Sequence, residues 1–319
     1  MTKDAVLELL RTDGSVSGQE IAARLGVSRT AVWKAVEQLR GEGYQIESAS
    51  NRGYRLAEGG DVLTAAGIAK YLRHKELRVQ VEPCVTSTNA MLKAMAEEGA
   101  PAGTALVACR QTAGRGRRGR SFYSPQDSGL YLSLLLRPKT DARHATALTA
   151  LAAVAAAAAI ESVSGREARI KWVNDVFVDG KKVCGILTEA GVDWESGTVQ
   201  YAVVGVGINV RAPEGGFPAE LEEIAGAVFD GESAPEARCR LAAAVLDALM
   251  DGCDAPEACY EEYRKRSLVI GRHVRVLLPE REPEEAFAVD IERDFALLVR
   301  TEDGSTRRLA AGEVSIRPD

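Results

Sequence analysis

Two apolar segments, TALVAC at Thr104–Cys109 and GLYLSLLLRP at Gly129–Pro138, bracket the stretch QTAGRGRRGR at Gln111–Arg120. Apolar runs of that length read as buried strands. The loop between them therefore hangs from two core elements and is not a free tail. It carries Arg115, Arg117, Arg118 and Arg120 with Gly114, Gly116 and Gly119, and no Asp or Glu stands between Gly99 and Gln126. The chain around it is acidic, with 40 Lys+Arg against 46 Asp+Glu and a net charge of −6. A basic loop inside an acidic chain calls for a local anion. Glycine lets backbone amides approach a ligand closely, and guanidinium forks pair with phosphate or carboxylate. A solvated charged loop or a short RNA-binding segment would use the same residues. The flanking strands favour a loop that folds over a nucleotide or an acyl phosphate.

The 319 residues are enough for two or three domains. The longest apolar run, Ala145–Ile160, is mostly alanine and reads as a buried helix too short to span a bilayer. No signal-peptide pattern opens the chain, and no membrane association is expected. Cys84, Cys109, Cys184, Cys239, Cys253 and Cys259 are scattered without a CxxC, which indicates reduced thiols and a cytoplasmic location. His74, His144 and His273 have no metal-ligand spacing.

Residues 1–60 read as a separate unit. An amphipathic helix spans Asp4–Arg11. Ser17 and Glu20 form a capping box for a helix that stops at Gly26, and Ser28 caps the next, which ends before Gly41. Two helices joined at Gly26-Val27 have the spacing of a helix-turn-helix. Tyr44–Ala49 and Gly53–Leu56, with a turn at Ser50–Arg52, read as a wing. From Arg24 to Arg55 six basic residues face three acids, while over residues 1–60 eight face eight. That suits site-specific DNA reading helped by dimerisation. A helical protein-interaction module is the alternative.

Residues 61–266 read as a central domain. Thr64 to Arg73 is a helix and Leu77–Val85 a strand, and Ser87 caps the helix that follows. After the arginine loop come the Gly129–Pro138 strand, an alanine-rich helix from His144 to Val163, and a strand ending in the polar tip Arg169–Asp175. Val176–Val178, Lys182–Glu189 and Val199–Asn209 are further strands, with Asp179-Gly180 a hairpin turn. Short connections imply an antiparallel or mixed sheet. Gly205-Val-Gly-Ile-Asn209 lacks the third glycine and the helix of a dinucleotide fingerprint. Helices follow at Pro235–Leu249 and Pro256–Arg266. Residues 267–319 read as five short strands closing a small SH3-like β-barrel. The fold class is thus α+β in three domains: a winged helix-turn-helix, a mixed-sheet α/β domain and a barrel.

Several motifs occur in one order: SerThrAsn at 87–89, GRGRRGR at 114–120, LysTrpValAsnAsp at 171–175, LysValCysGlyIleLeu at 182–187, GlyValGlyIleAsn at 205–209 and GlyGluValSerIleArg at 312–317. With the winged unit before them they resemble the bifunctional biotin–protein ligase and biotin operon repressor family of bacteria, over essentially the whole chain. The resemblance implies a central domain of the biotin/lipoate ligase type. It implies that biotin carboxylate attacks the α-phosphate of ATP, giving biotinyl-5′-AMP, and that a lysine of a biotin carboxyl carrier protein then takes the biotin. It also implies operator DNA and a ligand-promoted homodimer.

By that resemblance Ser87, Thr88 and Asn89 line the biotin ring pocket with Gln111 and Gly185. Arg115, Gly116 and Arg117 close over biotin and phosphate, and Arg118 and Arg120 meet ATP phosphates or hold the loop. Lys182 lies against the biotin carboxylate and α-phosphate, with Lys171 behind it. Asn174 and Asn209 sit on the adenylate side, and Asp175 binds Mg²⁺ or orients the acceptor amine. Arg117, Lys182, Asp175 and Lys171 are the catalytic candidates. Glu313 and Arg317 bring the barrel to the site, and Ser28, Arg29, Thr30, Trp33, Lys34 and Arg52 read DNA. Val173 stands where the family usually has proline, Glu292–Phe295 replaces a more glycine-rich turn, and Phe217 or Phe229 is expected to cover the adenine. A lipoate ligase, a ligand-sensing transcription factor without ligase activity, and a ligase that does not repress remain as alternatives.

Overall fold

The computed structural model describes residues 2–12, 15–41, 44, 46–49, 53–56, 61–138, 144–192, 198–231, 233–278, 282–310 and 313–316. Two compact units divide the chain: one holds residues up to Val62 with Ala234–Glu236, the other Leu63–Ser233 with Ala237 onward.

In the first unit, helices α1 (Thr2–Thr12), α2 (Gly18–Leu25) and α3 (Arg29–Gly41) pack on a three-stranded antiparallel sheet. Its strands are β1 (Ser15–Val16), β2 (Ile46–Ala49) and β3 (Gly53–Leu56), in the order β1–β3–β2. The caps are where the sequence puts them. Ser17 Oγ accepts from Glu20 N at 3.1 Å, Gly26 ends α2 at φ +65°, and Ser28 Oγ accepts from Ala31 N at 3.1 Å. Val6, Ile21, Val32, Val36 and Leu39 are fully buried and form the core between the helices. The third strand, β1, is only two residues long and too short to show as a periodic pattern. A Cβ on Gly53 would stand 2.3 Å from Val16 O, so glycine is what lets β3 approach β1.

The second unit is built on a seven-stranded mixed sheet. Its strands are β4 (Arg78–Glu82), β5 (Thr104–Ala108), β6 (Gly129–Leu136), β7 (Arg169–Lys171), β8 (Asp175–Val178), β9 (Lys181–Val192) and β10 (Val199–Asn209). Their order is β4–β5–β6–β10–β9–β8–β7, and the β4–β5 pair is parallel while the rest are antiparallel. Helix α4 (Ala65–Tyr71) is capped by Thr64, and α5 (Thr88–Glu97) is capped by Ser87, whose Oγ accepts from Ala90 N at 3.4 Å.

Alternation along β9 assigns the two faces of the sheet. Thr149, on helix α6 (His144–Ser164), hydrogen-bonds Thr188 at 2.8 Å, whereas Asn89 on α5 donates to the next residue, Glu189, at 3.0 Å. Helices α5 and α6 therefore cover opposite faces. Helix α6 runs beyond the apolar segment at both ends. By length and composition alone it could cross a membrane, contrary to the expectation that the run is too short. Ala150, Ala152, Ala153, Ala156, Ala157 and Ile160 are nevertheless fully buried between the sheet and helix α8. That is the burial of a core helix.

Helices α7 (Ala219–Glu222), α8 (Ala237–Gly252) and α9 (Tyr260–Lys265) lead to the barrel strands β11 (His273–Leu277), β12 (Glu284–Ile291), β13 (Leu297–Thr301), β14 (Thr306–Leu309) and β15 (Glu313–Ile316). These pair antiparallel in the order β14–β13–β12–β11–β15. The barrel belongs to the same compact unit as the sheet. Trp172 Nε1 donates to Phe295 O at 2.8 Å, Tyr263 OH to Val173 O at 3.0 Å and Tyr260 OH to Ile291 O at 2.8 Å. The Phe295 ring meets Tyr260 and Tyr263 edge-on. The 292–295 turn thus seats the barrel against the 171–175 tip. The Trp172–Val173 peptide is cis.

Candidate active site

A cavity of about 340 Å³ opens on the α5 face of the sheet. Glycine makes the room: Gly185, Gly205 and Gly207 line it from β9 and β10. A Cβ on Gly205 would lie 2.1 Å from Asn89 Oδ1, and one on Gly207 would lie 2.6 Å from Phe122 Cε1. The bare backbone at these positions is what admits α5 and Phe122 against the strands.

One end is lined by uncharged polar side chains, and behind them the Glu189 carboxylate pairs with Lys93 Nζ at 3.6 Å and Arg115 Nη1 at 3.9 Å. Ser87, Thr88 and Asn89, all buried, stand at the N-terminus of α5. Gln111 Oε1 accepts from Thr88 N at 2.8 Å, and its Nε2 donates to Ser124 Oγ at 2.9 Å. Ser124 Oγ in turn donates to Phe122 O at 2.9 Å. Asn89 Nδ2 donates to Leu187 O at 3.1 Å and to Glu189 Oε2 at 3.0 Å.

The other end is charged. Lys182 Nζ lies 2.7 Å from Asp175 Oδ1, a buried atom to which the lysine is not aligned for a hydrogen bond. Lys171 lines the same end, with its Nζ 5.4 Å from the Phe177 ring centre. Asn174 Nδ2 donates to Ile186 O at 2.9 Å, and its Oδ1 accepts from Arg117 Nη1 at 3.0 Å. Arg117 thereby carries the arginine loop onto the 171–175 tip. The loop is a tight hairpin in which Gly116 N donates to Arg120 O at 2.7 Å and Arg118 sits at φ +55°. Arg115, Gly116 and Arg120 also line the cavity.

The remaining expected residues lie elsewhere. Arg118 Nη1 reaches out to Leu277 O at 3.4 Å and is not at the cavity surface. Asn209 Nδ2 donates to Gly226 O at 3.0 Å, so it braces the 211–230 loop from outside the cavity lining. Neither Phe217 nor Phe229 lines the cavity. Backbone pairing registers that loop: Lys182 N donates to Ile224 O at 2.8 Å and Gly226 N to Lys182 O at 2.9 Å. This turns Ile224 to the cavity in their place. Arg317 and the Glu313 side chain lie outside the described residues, while Leu277, Val314 and Ser315 bring the barrel to the rim.

Phe122, Tyr131 and Leu132 line the cavity without having been singled out from sequence, and Trp172 and Leu187, quoted there only within motifs, line it as well. Phe122 lies just beyond the arginine loop, and Tyr131 sits inside an apolar strand; neither has a local signal apart from hydrophobicity. Burial pushes the Tyr131 phenol and the Cys184 thiol well above their usual ranges, so both stay protonated.

In the first unit, Ser28, Arg29, Thr30, Trp33 and Lys34 lie together on the exposed side of α3, with Trp33 53 % exposed. Arg52 lies outside the described residues. Three of the six basic residues between Arg24 and Arg55 are held in internal ion pairs: Arg24 with Glu20 at 2.6 Å, Arg40 with Glu37 at 2.7 Å and Arg55 with Glu47 at 2.9 Å.

Three family models match the chain. Residues 2–55 match an HTH domain, 81–209 the Biotin/lipoate A/B protein ligase family and 269–317 the Biotin protein ligase C terminal domain. The bifunctional ligase/repressor BirA of Escherichia coli (strain K12) is 30 % identical over 320 residues, covering 98 % of this chain and 96 % of that protein. The chain belongs to the bifunctional biotin–protein ligase and repressor family. A second member, from Bacillus spizizenii, is 38 % identical over 224 residues, covering 69 % of this chain and 68 % of the relative. Among solved structures, the biotin protein ligase from Aquifex aeolicus in complex with biotin and ATP superposes with a TM-score of 0.63. It is 27 % identical and covers 76 % of this chain and 99 % of that one. The three matched ranges take in the winged unit, most of the seven-stranded sheet and the barrel, while α4, α7, α8 and α9 lie between them.

Proposed function

We propose that the chain activates biotin with ATP to biotinyl-5′-AMP, transfers biotin to a lysine of a carboxyl carrier protein, and represses transcription through its winged unit. The observation that carries this reading is one cavity with unlike ends. Along β9 the end lined by uncharged polar side chains lies at Leu187, and the charged end lies at Lys182. Leu187 and Lys182 are five positions apart along the strand, a span of about 16 Å. A ligand with an uncharged polar head and a carboxylate tail fits that layout.

The chemistry needs no nucleophile from the protein. The attacking group is the ligand's carboxylate, and the attacked atom is the α-phosphorus of ATP. Pyrophosphate leaves as the mixed anhydride forms. Lys182 and Arg117 neutralise charge where carboxylate and phosphate approach, and Lys171 adds positive potential beside them. Arg115, Gly116 and Arg120 cover the anhydride and exclude water until an acceptor amine attacks its carbonyl carbon and AMP leaves. Ile224 faces the adenylate from the 211–230 loop.

Asp175 is the one carboxylate among the described residues lining the cavity, and those residues hold no cluster of three metal-ligating side chains. Asp175 Oδ1 already faces the Lys182 ammonium at 2.7 Å, so a single carboxylate here suits only a Mg²⁺ ion that takes most of its shell from nucleotide phosphates and water. When bound, that ion would screen the phosphate charge. The exposed side of α3 is the DNA-reading face. Two such faces are needed for tight binding, hence a ligand-promoted homodimer. Carrier protein, ATP and operator place the activity in the cytoplasm.

The test is pyrophosphate release from ATP without any acceptor protein, first with biotin and then with lipoate. A burst of about one equivalent per chain with biotin alone is expected, because the product stays held. Release with lipoate only, or with neither acid, overturns the reading.

A further inference from the structure

Behind the neutral end of the cavity lies a side chain that does not reach its surface. Ser133, on β6, is 0 % exposed. Its Oγ stands 2.6 Å from Asn89 Oδ1 and 2.8 Å from Thr88 Oγ1. A serine hydroxyl has one proton and can donate to only one of them.

The surroundings decide which. The Asn89 amide cannot turn over, because its Nδ2 already faces two acceptors, Leu187 O and the Glu189 carboxylate. A flipped amide would set its oxygen against both. Asn89 Oδ1 therefore faces Ser133, and an amide oxygen has nothing to donate. At 2.6 Å two lone pairs would repel, so the Ser133 proton points to Asn89. Ser133 Oγ is then free to accept, and Thr88 Oγ1 donates to it at 2.8 Å in preference to Gln111 Oε1 at 3.2 Å. Gln111 Oε1 keeps its bond from Thr88 N. With its proton directed backward, Thr88 Oγ1 turns lone pairs to the cavity, where Asn89 Oδ1 adds another acceptor.

We propose that Ser133 is a positioning residue that fixes the hydrogen-bond polarity of this end, making Thr88 and Asn89 acceptors for a ligand head that carries N–H donors. The chain of orientation runs from Glu189 through Asn89 and Ser133 to Thr88. It rests on the ligase reading above and adds a cause for its substrate choice. A cyclic urea supplies N–H groups to such a face, whereas a dithiolane ring supplies none and leaves buried acceptors unpaired.

Steady-state pyrophosphate release with an acceptor present tests this on the full-length protein. Ser133→Ala removes the orienting hydroxyl and adds no bulk. Its KM for biotin rises about tenfold while kcat and the KM for ATP stay within twofold. Ser133→Cys, with a weak S–H donor at the same position, falls between wild type and Ser133→Ala. A Ser133→Ala variant whose biotin KM stays within twofold of wild type overturns the proposal, and so does one in which both KM values rise together. A wild-type protein that releases no pyrophosphate with biotin overturns the ligase reading itself. An active wild type with an indifferent Ser133→Ala variant removes only the polarity relay.

Discussion

Lys182 and Asp175 face each other at 2.7 Å because β9 carries an extra residue against β8. Asp175 pairs with Gly185 and Val176 with Cys184, but Phe177 pairs with Lys182, so the register skips Val183. Regular alternation would send Lys182 and Gly185 to opposite faces of the sheet. The bulge returns Lys182 to the cavity side and leaves Val183 buried. The position of the candidate catalytic lysine thus depends on one unpaired residue.

Replacing that lysine tests its charge. Lys182→Met keeps the length of the side chain but removes the cation nearest the carboxylate end. The rate of pyrophosphate release should fall by about 100-fold or more. Biotin binding, measured by calorimetry without ATP, should weaken far less. A variant that retains a tenth of the wild-type rate would remove Lys182 from the chemistry.

Gly205 gives a steric test. A methyl group there meets Asn89 Oδ1 at 2.1 Å, and Asn89 is held by three partners. Gly205→Ala should therefore displace the Asn89 amide and weaken biotin binding by about 100-fold, with little change in ATP affinity. Equal loss of both affinities would indicate a general distortion of the sheet.

The arginine loop is expected to retain the intermediate. Arg117 ties it to Asn174 at 3.0 Å, directly beside the charged end. Arg117→Gly should still form adenylate, although more slowly, and should release free biotinyl-5′-AMP faster than wild type. Chromatography of the filtrate after a single turnover measures this. Equal release from the two proteins would mean that the loop does not act as a lid.

Most of the scaffold was legible because its signals are local. Ser17, Ser28 and Ser87 cap helices, Gly26 ends one, and apolar runs mark β5, β6 and β10. Motif order carried the site further, bringing Ser87–Asn89, Gln111, Arg117, Asn174 and Lys182 to one cavity. What stayed hidden depends on register and tertiary approach. The skip at Val183 has no sequence signature. Ile224, and neither Phe217 nor Phe229, lines the cavity from that loop because backbone pairing with Lys182 registers it. Arg118 and Asn209 carry suitable chemistry but point to Leu277 O and Gly226 O. Ser133 looks like one small residue in an apolar strand until Asn89 arrives from α5.

On α3, the proposed DNA-reading face rests chiefly on Arg29 and Lys34 among the described residues, since Arg24, Arg40 and Arg55 are paired internally. Lys34 therefore carries a large share of the phosphate attraction. Lys34→Ala should weaken duplex DNA binding and reduce the slope of log affinity against log salt by about 0.9 per chain. Pyrophosphate release should not change, because the substitution lies outside the unit that holds the cavity. An unaltered salt slope would exclude Lys34 from the phosphate contacts.

The joint beneath the catalytic tip gives a pH-dependent prediction. Glu161 on α6 accepts from Arg266 Nη1 at 2.6 Å and from Ala168 N at 3.0 Å, just before β7. The Arg266 guanidinium, with the amide of Ala168, holds the Glu161 carboxyl below its usual value of 4.5. A lowered carboxylate pKa stabilises the folded state above the unfolded pKa, and the gain is lost as pH falls through the folded value. Glu161 is partly exposed, so solvent screens the pair and the effect is modest. Glu161→Gln keeps an oxygen for Ala168 and removes only the charge. At pH 7 it should lower Tm by about 1–3 °C, and the gap should close as pH drops below about 4.5. Melting curves of both proteins across that range measure it, and a gap that stays constant with pH would show that the ion pair contributes nothing to the joint.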